Sequence, residues 1–182
     1  IAYIKNFLKN FSNDKLSLLA SGDPMFFGIG KRIIKEFGKN IVEIIPDLSC
    51  IQLAFSKIKE SWDDAHLISL HGKAINRRYE LNDLPILVKN YKKLAILTDK
   101  QNSPTSIAKV LLETNEDLSM YVCERLGYYR EMIYFGTPKE FAKKEFLHPN
   151  LVIVINKNFL KKEIVFGLQE NEIKHLNGMI TK

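Results

Sequence analysis

The sequence contains few of the residues that mark specialised classes of protein. Two cysteines, Cys50 and Cys123, are too few for a disulfide-stabilised scaffold, and no cysteine–histidine spacing indicates a zinc site. No apolar run approaches the roughly 20 residues of a membrane helix, and no run of like charges indicates a disordered arm. Residues 1–5 lack the layout of a signal peptide. These absences predict a cytoplasmic globular protein with two buried thiols and no metal.

The composition that remains is ordinary for a globular protein. The 182 residues are 46% hydrophobic and 26% charged, which predicts one domain or two small ones packed together. A formal charge of +6 suits a polycarboxylate ligand, nucleic acid, an anionic membrane or solubility alone. Aromatic residues do not alternate with basic ones, which argues against an RNA-binding module.

Helix and strand signals alternate over the first 60 residues. Apolar residues at helical spacing predict a helix over residues 1–11, and short apolar runs predict strands at Leu16–Ala20 and Ile41–Ile45. Alternation of this kind is typical of a parallel sheet with crossover helices. Two strands make a thin sheet, so we expect this part to depend on further strands or on another domain.

Capping residues bound the helices that lie between and after these strands. Asp23 and Pro24 are residues that commonly form the N-cap and the first position of a helix, and Gly38 commonly ends one. They predict a helix that starts at Pro24 and ends at Gly38. Ser49 is placed to cap a further helix that continues to Ile58.

The second half of the chain has more strand signals and fewer helices between them. Short apolar runs predict strands at Leu67–Leu70, Leu94–Thr98, Met120–Glu124, Ile133–Gly136 and Leu151–Ile155. Ser103 with Pro104, and the run from Thr137 to Glu140, predict capped helix starts. We therefore expect a mixed sheet here.

The turn from Ser21 to Gly28 is the most informative local feature. A glycine between a strand end and a helix lets the backbone approach a ligand, and the first amides of the helix can hold an anion. An ordinary strand–helix turn, in which Asp23 only caps, explains the same residues equally well.

His71 follows a predicted strand and precedes a glycine. A histidine there can exchange protons or bond a carboxylate, although a surface-loop histidine fits as well. Lys73, Arg77 and Arg78 follow it and form either a clamp for anionic groups or a solvated face.

Taken in order, these segments resemble the tetrapyrrole (corrin/porphyrin) methylases. Residues 19–30 resemble the family's Gly-Asp-Pro motif, and residues 44–55 resemble its strand followed by Pro-Gly-x-Ser. Segments at 62–65, 69–73, 97–104 and 123–128 are similar to the members that methylate C5 of precorrin-6Y or cobalt-precorrins in cobalamin biosynthesis. The resemblance covers about residues 16–155.

The sequence departs from the family pattern in three places. Asp47 stands where the family usually has glycine, and Phe27 replaces a usual tyrosine. Nothing in residues 1–15 matches the first strand and glycine-rich loop of the family. The first change predicts a different turn shape, and the missing loop predicts an incomplete wall of the active site.

The resemblance implies an α/β protein of two domains with the active site between them. Residues 1–46 would be an incomplete N-terminal domain with a parallel sheet, and residues 47–160 a C-terminal domain with a mixed sheet. Residues 161–182 would be a tail or linker towards a C15-methylating, decarboxylating module.

The resemblance also implies a methyl transfer from S-adenosylmethionine to C5 of a cobalt-precorrin or precorrin, with S-adenosylhomocysteine as product. The implied cofactor-binding residues are Ser21, Gly22, Asp23, Phe26, Ser49, Cys50, Thr98, Leu126 and Gly127. His71 would be catalytic and, with Lys73, Arg77 and Arg78, would bind substrate. A homodimer is expected, with no nucleic acid and no membrane as partner. Two alternatives stay open: another member of the superfamily, or a non-catalytic, partner-dependent fragment.

Overall fold

The computed structural model centres on a five-stranded mixed sheet. It describes residues 1–10, 14–72 and 78–160, and the backbone of residues 175–176 and 179–180. The strands of the sheet are β1 (Ala65–Ser69), β2 (Lys93–Leu97), β3 (Leu118–Glu124), β4 (Met132–Gly136) and β5 (Asn150–Asn156). They lie in the order β1-β2-β5-β3-β4. Because β1 and β2 are parallel and all other pairs antiparallel, the predicted mixed sheet and its five strands are confirmed.

The register of the strands brings several loops to one end of the sheet. Leu97 pairs with Ser69 and with Leu151, and Glu124 pairs with Asn150 and with Met132. The last residues of β1, β2 and β3 therefore lie beside the first residues of β4 and β5. We call this end, defined by those six paired residues, the loop end of the sheet.

Three helices cover one face of the sheet: α4 (Leu84–Asn90), α5 (Pro104–Leu111) and α6 (Pro138–Phe141). The hydroxyl of Ser103 accepts from the amide of Ser106, and Thr137 and Glu140 form a capping box. Both predicted helix starts are confirmed. Their apolar sides pack on strand residues such as Ile96 and Val152, which are fully buried.

Helix α3 (Cys50–Ile58) covers the opposite face. The hydroxyl of Ser49 accepts from the amide of Gln52 at 3.3 Å, and the amide of Ser49 donates to the side-chain carbonyl of Gln52 at 2.9 Å. This capping box confirms the predicted start of the helix. Phe55 is buried in one cluster with Ile153 of β5, so α3 packs on the sheet through its apolar side.

The N-terminal part contains helices but none of its predicted strands. Helix α1 (Ala2–Asn10) confirms the first prediction. The strands predicted at Leu16–Ala20 and Ile41–Ile45 are wrong: both segments are irregular, and Leu19 is 94% exposed. Among the described strands none lies beside either segment, so their backbone amides and carbonyls have no ladder partners.

Helix α2 (Gly30–Phe37) begins six residues after Pro24, where the start was predicted. Asp23 accepts from the amide of Met25 at 2.8 Å, and the amide of Gly30 donates to the carbonyl of Pro24 at 2.8 Å. Asp23 therefore closes a turn rather than capping the helix, and the intervening loop, with Phe27 at φ +49°, replaces the first turns. The predicted end at Gly38, with φ +89°, is confirmed.

Towards the C-terminus, β6 (His175–Leu176) and β7 (Met179–Ile180) pair antiparallel. The rest of the tail predicted at residues 161–182 lies outside the described residues. In the part of the chain that the structure describes, no helix is both long and apolar enough to cross a membrane.

Candidate functional site

The glycine turn at residues 21–23 rests on the start of α3. Gly22 has φ +64°, and a Cβ atom there would lie 3.0 Å from the carbonyl oxygen of Leu48 and 3.6 Å from Cα of Ser49. Only glycine permits this approach of two backbone segments. The structure thus brings Ser21, Gly22 and Asp23 beside Ser49, although the two groups are separated by 25 residues of sequence.

Asp47 takes part in the turn that precedes α3. Its carboxylate accepts from the amide of Leu48 at 2.7 Å. A glycine has no side chain for this bond, so the substitution of the usual glycine replaces backbone freedom with a local hydrogen bond.

Four further predicted cofactor residues lie in or against α3 and the buried cluster beneath it. Phe26, Cys50 and Leu126 pack against the buried cluster between α3 and the sheet. At Gly127, with φ +76°, an added Cβ would lie 3.9 Å from a methyl group of Leu53 on α3. These residues form an apolar wall beside the glycine turn.

Glu131, which the sequence analysis did not identify, holds the loop that carries Leu126 and Gly127. Its carboxylate accepts from the amide of Gly127 at 2.8 Å and lies 2.8 Å from the ammonium of Lys57. The Gly127 amide, and then Lys57, lower the pKa of Glu131. Lys57 and Glu131 are far apart in the sequence, so no residue spacing could have indicated this ion pair.

The two cysteines lie in apolar surroundings. Burial raises the pKa of Cys50, and burial, followed by the charges of Glu131 and Cys50, raises the pKa of Cys123 to about 12. Both side chains therefore remain thiols near neutral pH, and neither supplies a thiolate nucleophile.

His71 and Thr98 meet at the loop end, just beyond the parallel strands β1 and β2. Nδ1 of His71 lies 3.2 Å from the carbonyl oxygen of Thr98. The Thr98 hydroxyl lies 2.5 Å from the carbonyl oxygen of Asn150 and 2.6 Å from its side-chain oxygen. The hydroxyl of buried Thr98 therefore donates its hydrogen to Asn150 and is not available as a donor to a ligand. Its structural role is to hold Asn150 beside the end of β2.

Two asparagines hold this end of the sheet, and the sequence analysis identified neither. Buried Asn102 donates to the carbonyl of Leu70 and to the carboxylate of Asp99, both at 3.0 Å. The polar loop that contains Asn102 follows a predicted strand, and this is the signal that could have identified it. Asn150 gave no signal, because its partner Thr98 is 52 residues away.

The basic residues predicted near His71 are only partly described. Lys73 and Arg77 lie outside the described residues. The Arg78 guanidinium lies 5.3 Å from the centre of the Tyr79 ring, and the Tyr79 hydroxyl lies 3.2 Å from Nε2 of His66. Because His66 is at the start of β1 and His71 follows its end, the structure does not place Arg78 beside His71.

The arrangement fits an adenosyl ligand. Gly22 packs on the carbonyl group of Leu48 and on Cα of Ser49, which brings the backbone of two segments together. The wall of Phe26 and Leu126 offers apolar surface beside those polar groups. Adenosine with an amino-acid tail needs this combination of apolar contact and backbone hydrogen bonds. In the described ranges, no three His, Cys, Asp or Glu side chains are grouped as a metal site.

A five-stranded mixed sheet with helices packed on both faces defines an α/β protein. The model of the Tetrapyrrole (Corrin/Porphyrin) Methylases matches residues 6–142. The chain therefore belongs to this family, whose members are methyltransferases that use S-adenosylmethionine.

Two curated relatives are named as methyltransferases that act on corrinoid precursors. The chain is 38% identical over 146 residues to the probable cobalt-precorrin-7 C(5)-methyltransferase of Methanocaldococcus jannaschii, covering 79% of this chain and 65% of the relative. It is 27% identical over 168 residues to a decarboxylating precorrin-6Y C(5,15)-methyltransferase of Mycobacterium tuberculosis, covering 92% of this chain and 40% of the relative. The chain thus spans less than two thirds of either protein.

A solved structure supports the fold. The uroporphyrin-III C-methyltransferase of Thermus thermophilus, in complex with S-adenosylhomocysteine, superposes with a TM-score of 0.60 at 22% identity. The match covers 84% of this chain and 72% of that one. It confirms the predicted tetrapyrrole methylase fold.

Proposed function

We propose that the whole protein transfers a methyl group from S-adenosylmethionine to C5 of a cobalt-precorrin or precorrin in cobalamin biosynthesis. The observation that carries the proposal is the contact of the Gly22 turn with Leu48 and Ser49, because it brings together the two segments that resemble family motifs. The names of the M. jannaschii and M. tuberculosis relatives support C5 as the acceptor.

The proposed work of the protein is to bind, orient and exclude water. S-adenosylmethionine supplies an activated methyl group, and C5 of the macrocycle is an electron-rich, enamine-like carbon. No protein nucleophile is then needed, in keeping with the raised pKa values of both thiols. Holding two reactants in line removes much of the entropic barrier, and a dry site protects the methyl donor.

The nine residues implied by the family resemblance remain our assignment for the cofactor. We assign Ser21, Gly22, Asp23, Ser49 and Thr98 to backbone contacts. Phe26, Cys50, Leu126 and Gly127 would provide the apolar wall. On the substrate side we assign His71, with Lys73 and Arg77 for nearby carboxylates. Arg78, which lies beside Tyr79 and His66 at the other end of β1, would bind a more distant carboxylate of the macrocycle.

The proposal extends to domains and partners. Residues 1–46 and 47–160 would form two domains around the cleft, and residues 161–182 would lead towards a C15-methylating, decarboxylating module. The M. tuberculosis relative, named for both C5 and C15, supports such a module as a partner. A homodimer completes the proposal.

Calorimetric titration with S-adenosylhomocysteine tests the cofactor site. In Gly22→Ala the added Cβ would press on Leu48 and Ser49, so we expect the Kd to rise at least about tenfold, or 1.4 kcal/mol. The matched control is Gly38→Ala, which also places alanine at a positive φ but meets no atom within 4 Å. Its Kd should stay at the wild-type value.

Equal affinities in both glycine variants would place the cofactor elsewhere. A second variant, Asp23→Ala, removes the carboxylate that holds the amide of Met25 and should also weaken binding. The reaction itself is tested by incubating the whole protein with labelled S-adenosylmethionine and a panel of corrinoids. Methylation at a carbon other than C5 would be consistent with membership of the family but would overturn the assignment of C5 as the acceptor.

A second candidate function is a non-catalytic module that depends on a partner. The exposure of Leu19 (94%), Ile41 (74%) and Ile45 (77%) favours it, since these side chains are uncovered in the described part of the chain. Failure of the whole protein to bind S-adenosylhomocysteine would support this candidate over the enzyme.

A further inference from the structure

The hydrogen bond between His71 and Thr98 determines which ring nitrogen of His71 carries the proton in the neutral imidazole. A backbone carbonyl can only accept, so Nδ1, at 3.2 Å from the Thr98 oxygen, must be the donor. Nε2 is then the unprotonated nitrogen of the neutral ring. It makes no hydrogen bond to any residue among those described, and the side chain is exposed.

Several contacts hold the imidazole in place. The amide of His71 donates to the Ser69 hydroxyl at 3.3 Å. The carbonyl that accepts from Nδ1 belongs to Thr98, which is only 7% exposed and is tied by its hydroxyl to Asn150. Asn102 holds Leu70, the residue before His71. The ring is thus oriented by the ends of β1, β2 and β5, with Nε2 directed away from Thr98.

The reaction proposed above releases a proton. Replacing hydrogen by methyl at C5 forms a carbon–carbon bond as the carbon–sulfur bond of the sulfonium breaks. The C5–hydrogen bond must then break, which returns its electron pair to the conjugated macrocycle and leaves a proton for a base. No oxidant or reductant takes part.

We infer that Nε2 of His71 is the base that accepts the C5 proton, and that Thr98 and Asn150 are the positioning residues that keep it unprotonated and correctly oriented. This inference rests on the proposed function and adds to it the atom, the tautomer and the step. Thr98 and Asn150 act through His71 and need not touch the substrate.

Other candidate bases at the site are engaged or protonated. The carboxylate of Asp23 accepts from the Met25 amide, and that of Asp99 accepts from the amides of Gln101 and Asn102. Glu124, only 2% exposed, accepts from the amide of Leu147 at 2.6 Å. The two thiols have raised pKa values. Two exposed histidines remain near the loop end. Nδ1 of His148 lies 3.5 Å from the side-chain nitrogen of Asn150, whereas the ring of His71 is oriented by its bond to the Thr98 carbonyl. This fixed orientation selects His71 as the base.

The decisive experiment compares His71→Asn with wild type in the whole protein. The asparagine amide retains a donor near the position of Nδ1, so the bond to Thr98 can persist while the base is lost. We expect kcat for C5 methylation to fall by at least about a hundredfold. The Kd for S-adenosylhomocysteine should change by less than about twofold, since ground-state binding is unaffected. The acid limb of the pH–rate profile should disappear.

Two further measurements separate a base from a structural residue. Added imidazole should restore activity to His71→Ala, because a diffusible base can replace the missing one. Nitrogen-15 NMR of the wild-type protein at alkaline pH should show His71 protonated at Nδ1. Thr98→Val removes the hydroxyl that bonds Asn150. The carbonyl that orients His71 is then held less firmly, and the NMR spectrum should show a mixture of both tautomers.

The outcomes distinguish the two levels of the proposal. A wild-type protein that methylates no corrinoid at C5 overturns the proposed function, and the inference with it. A wild-type protein active at C5, with His71→Asn within about threefold of its kcat, overturns the inference alone. A His71 protonated at Nε2, or no rescue of His71→Ala by imidazole, also overturns it.

Discussion

Two apolar segments of similar sequence have opposite fates in this molecule. Leu16–Ala20 and Leu151–Ile155 are both five-residue runs rich in aliphatic side chains. The second forms most of β5, paired on both sides and buried, with Ile153 at 0% exposed. The first has no described strand beside it, and Leu19 is 94% exposed.

The difference shows that a strand is defined by its neighbours as much as by its own residues. An apolar run lowers the free energy of folding only where other elements remove it from water, and its amides need ladder partners. The region around β5 supplies both. The region around Leu19 supplies neither in the described part of the chain, and its apolar side chains stay exposed.

The largest expected effect directly tests this contrast. Ile153→Ala removes a fully buried side chain between α3 and the sheet, and we expect a loss of about 2–5 kcal/mol in the free energy of unfolding. Leu19→Ala, the matched change in the exposed segment, should cost less than about 0.5 kcal/mol. Urea denaturation measures both. A loss above about 1 kcal/mol for Leu19→Ala would show that the segment is packed in solution and would break the comparison.

A smaller effect is expected where the two regions meet. Ser49→Ala removes the cap of α3 and should lower stability by about 1 kcal/mol. Ser103→Ala removes the equivalent cap of α5, within the sheet region, at a similar cost. Because Gly22 rests on the α3 start, only Ser49→Ala should accelerate hydrogen exchange at residues 21–26. Equal exchange in the two variants would show that the glycine turn is held independently of the cap.

The smallest effect concerns acid stability. The lowered pKa of Glu131 means that its contribution is present above the pKa of an unfolded glutamate and is lost as pH falls through the folded value. Glu131→Gln should therefore be about 0.5 kcal/mol less stable than wild type at pH 7, and the gap should close in acid. The control is Glu43→Gln at an exposed site of the N-terminal region, where we expect no gap. Chemical denaturation between pH 7 and pH 3 decides, and a gap that widens in acid would contradict the assignment.

Much of the fold was predictable because its signals are local. The caps at Ser49, Ser103 and Thr137 each act within three residues, and all three were confirmed. The strands of the mixed sheet were recognisable because each contains a short run of apolar residues. The start of α2 failed because the loop is closed by a bond from Gly30 back to Pro24, which spans more than one helical turn.

The candidate site was predictable to the extent that it lies in motifs. Gly22 and Ser49 were recognisable as parts of two motifs, but their contact depends on a backbone approach that spacing does not encode. The bond of Thr98 to Asn150 and the ion pair of Glu131 with Lys57 join residues that only the fold brings together. Sequence therefore indicates which residues take part, and the sheet register decides how they are aligned.

The position of β5 has a consequence for the order in which the molecule can assemble. It is the last strand of the sheet to be synthesised, yet it lies between β2 and β3. Until residue 156 has left the ribosome, β1–β2 and β3–β4 are separate two-stranded pieces, which are marginal alone. Closure then requires contacts between distant parts of the chain, which slow folding. The end of the sheet that holds His71 and Thr98 is therefore completed only when Asn150 arrives, so the candidate site is among the last features of the nascent chain to form.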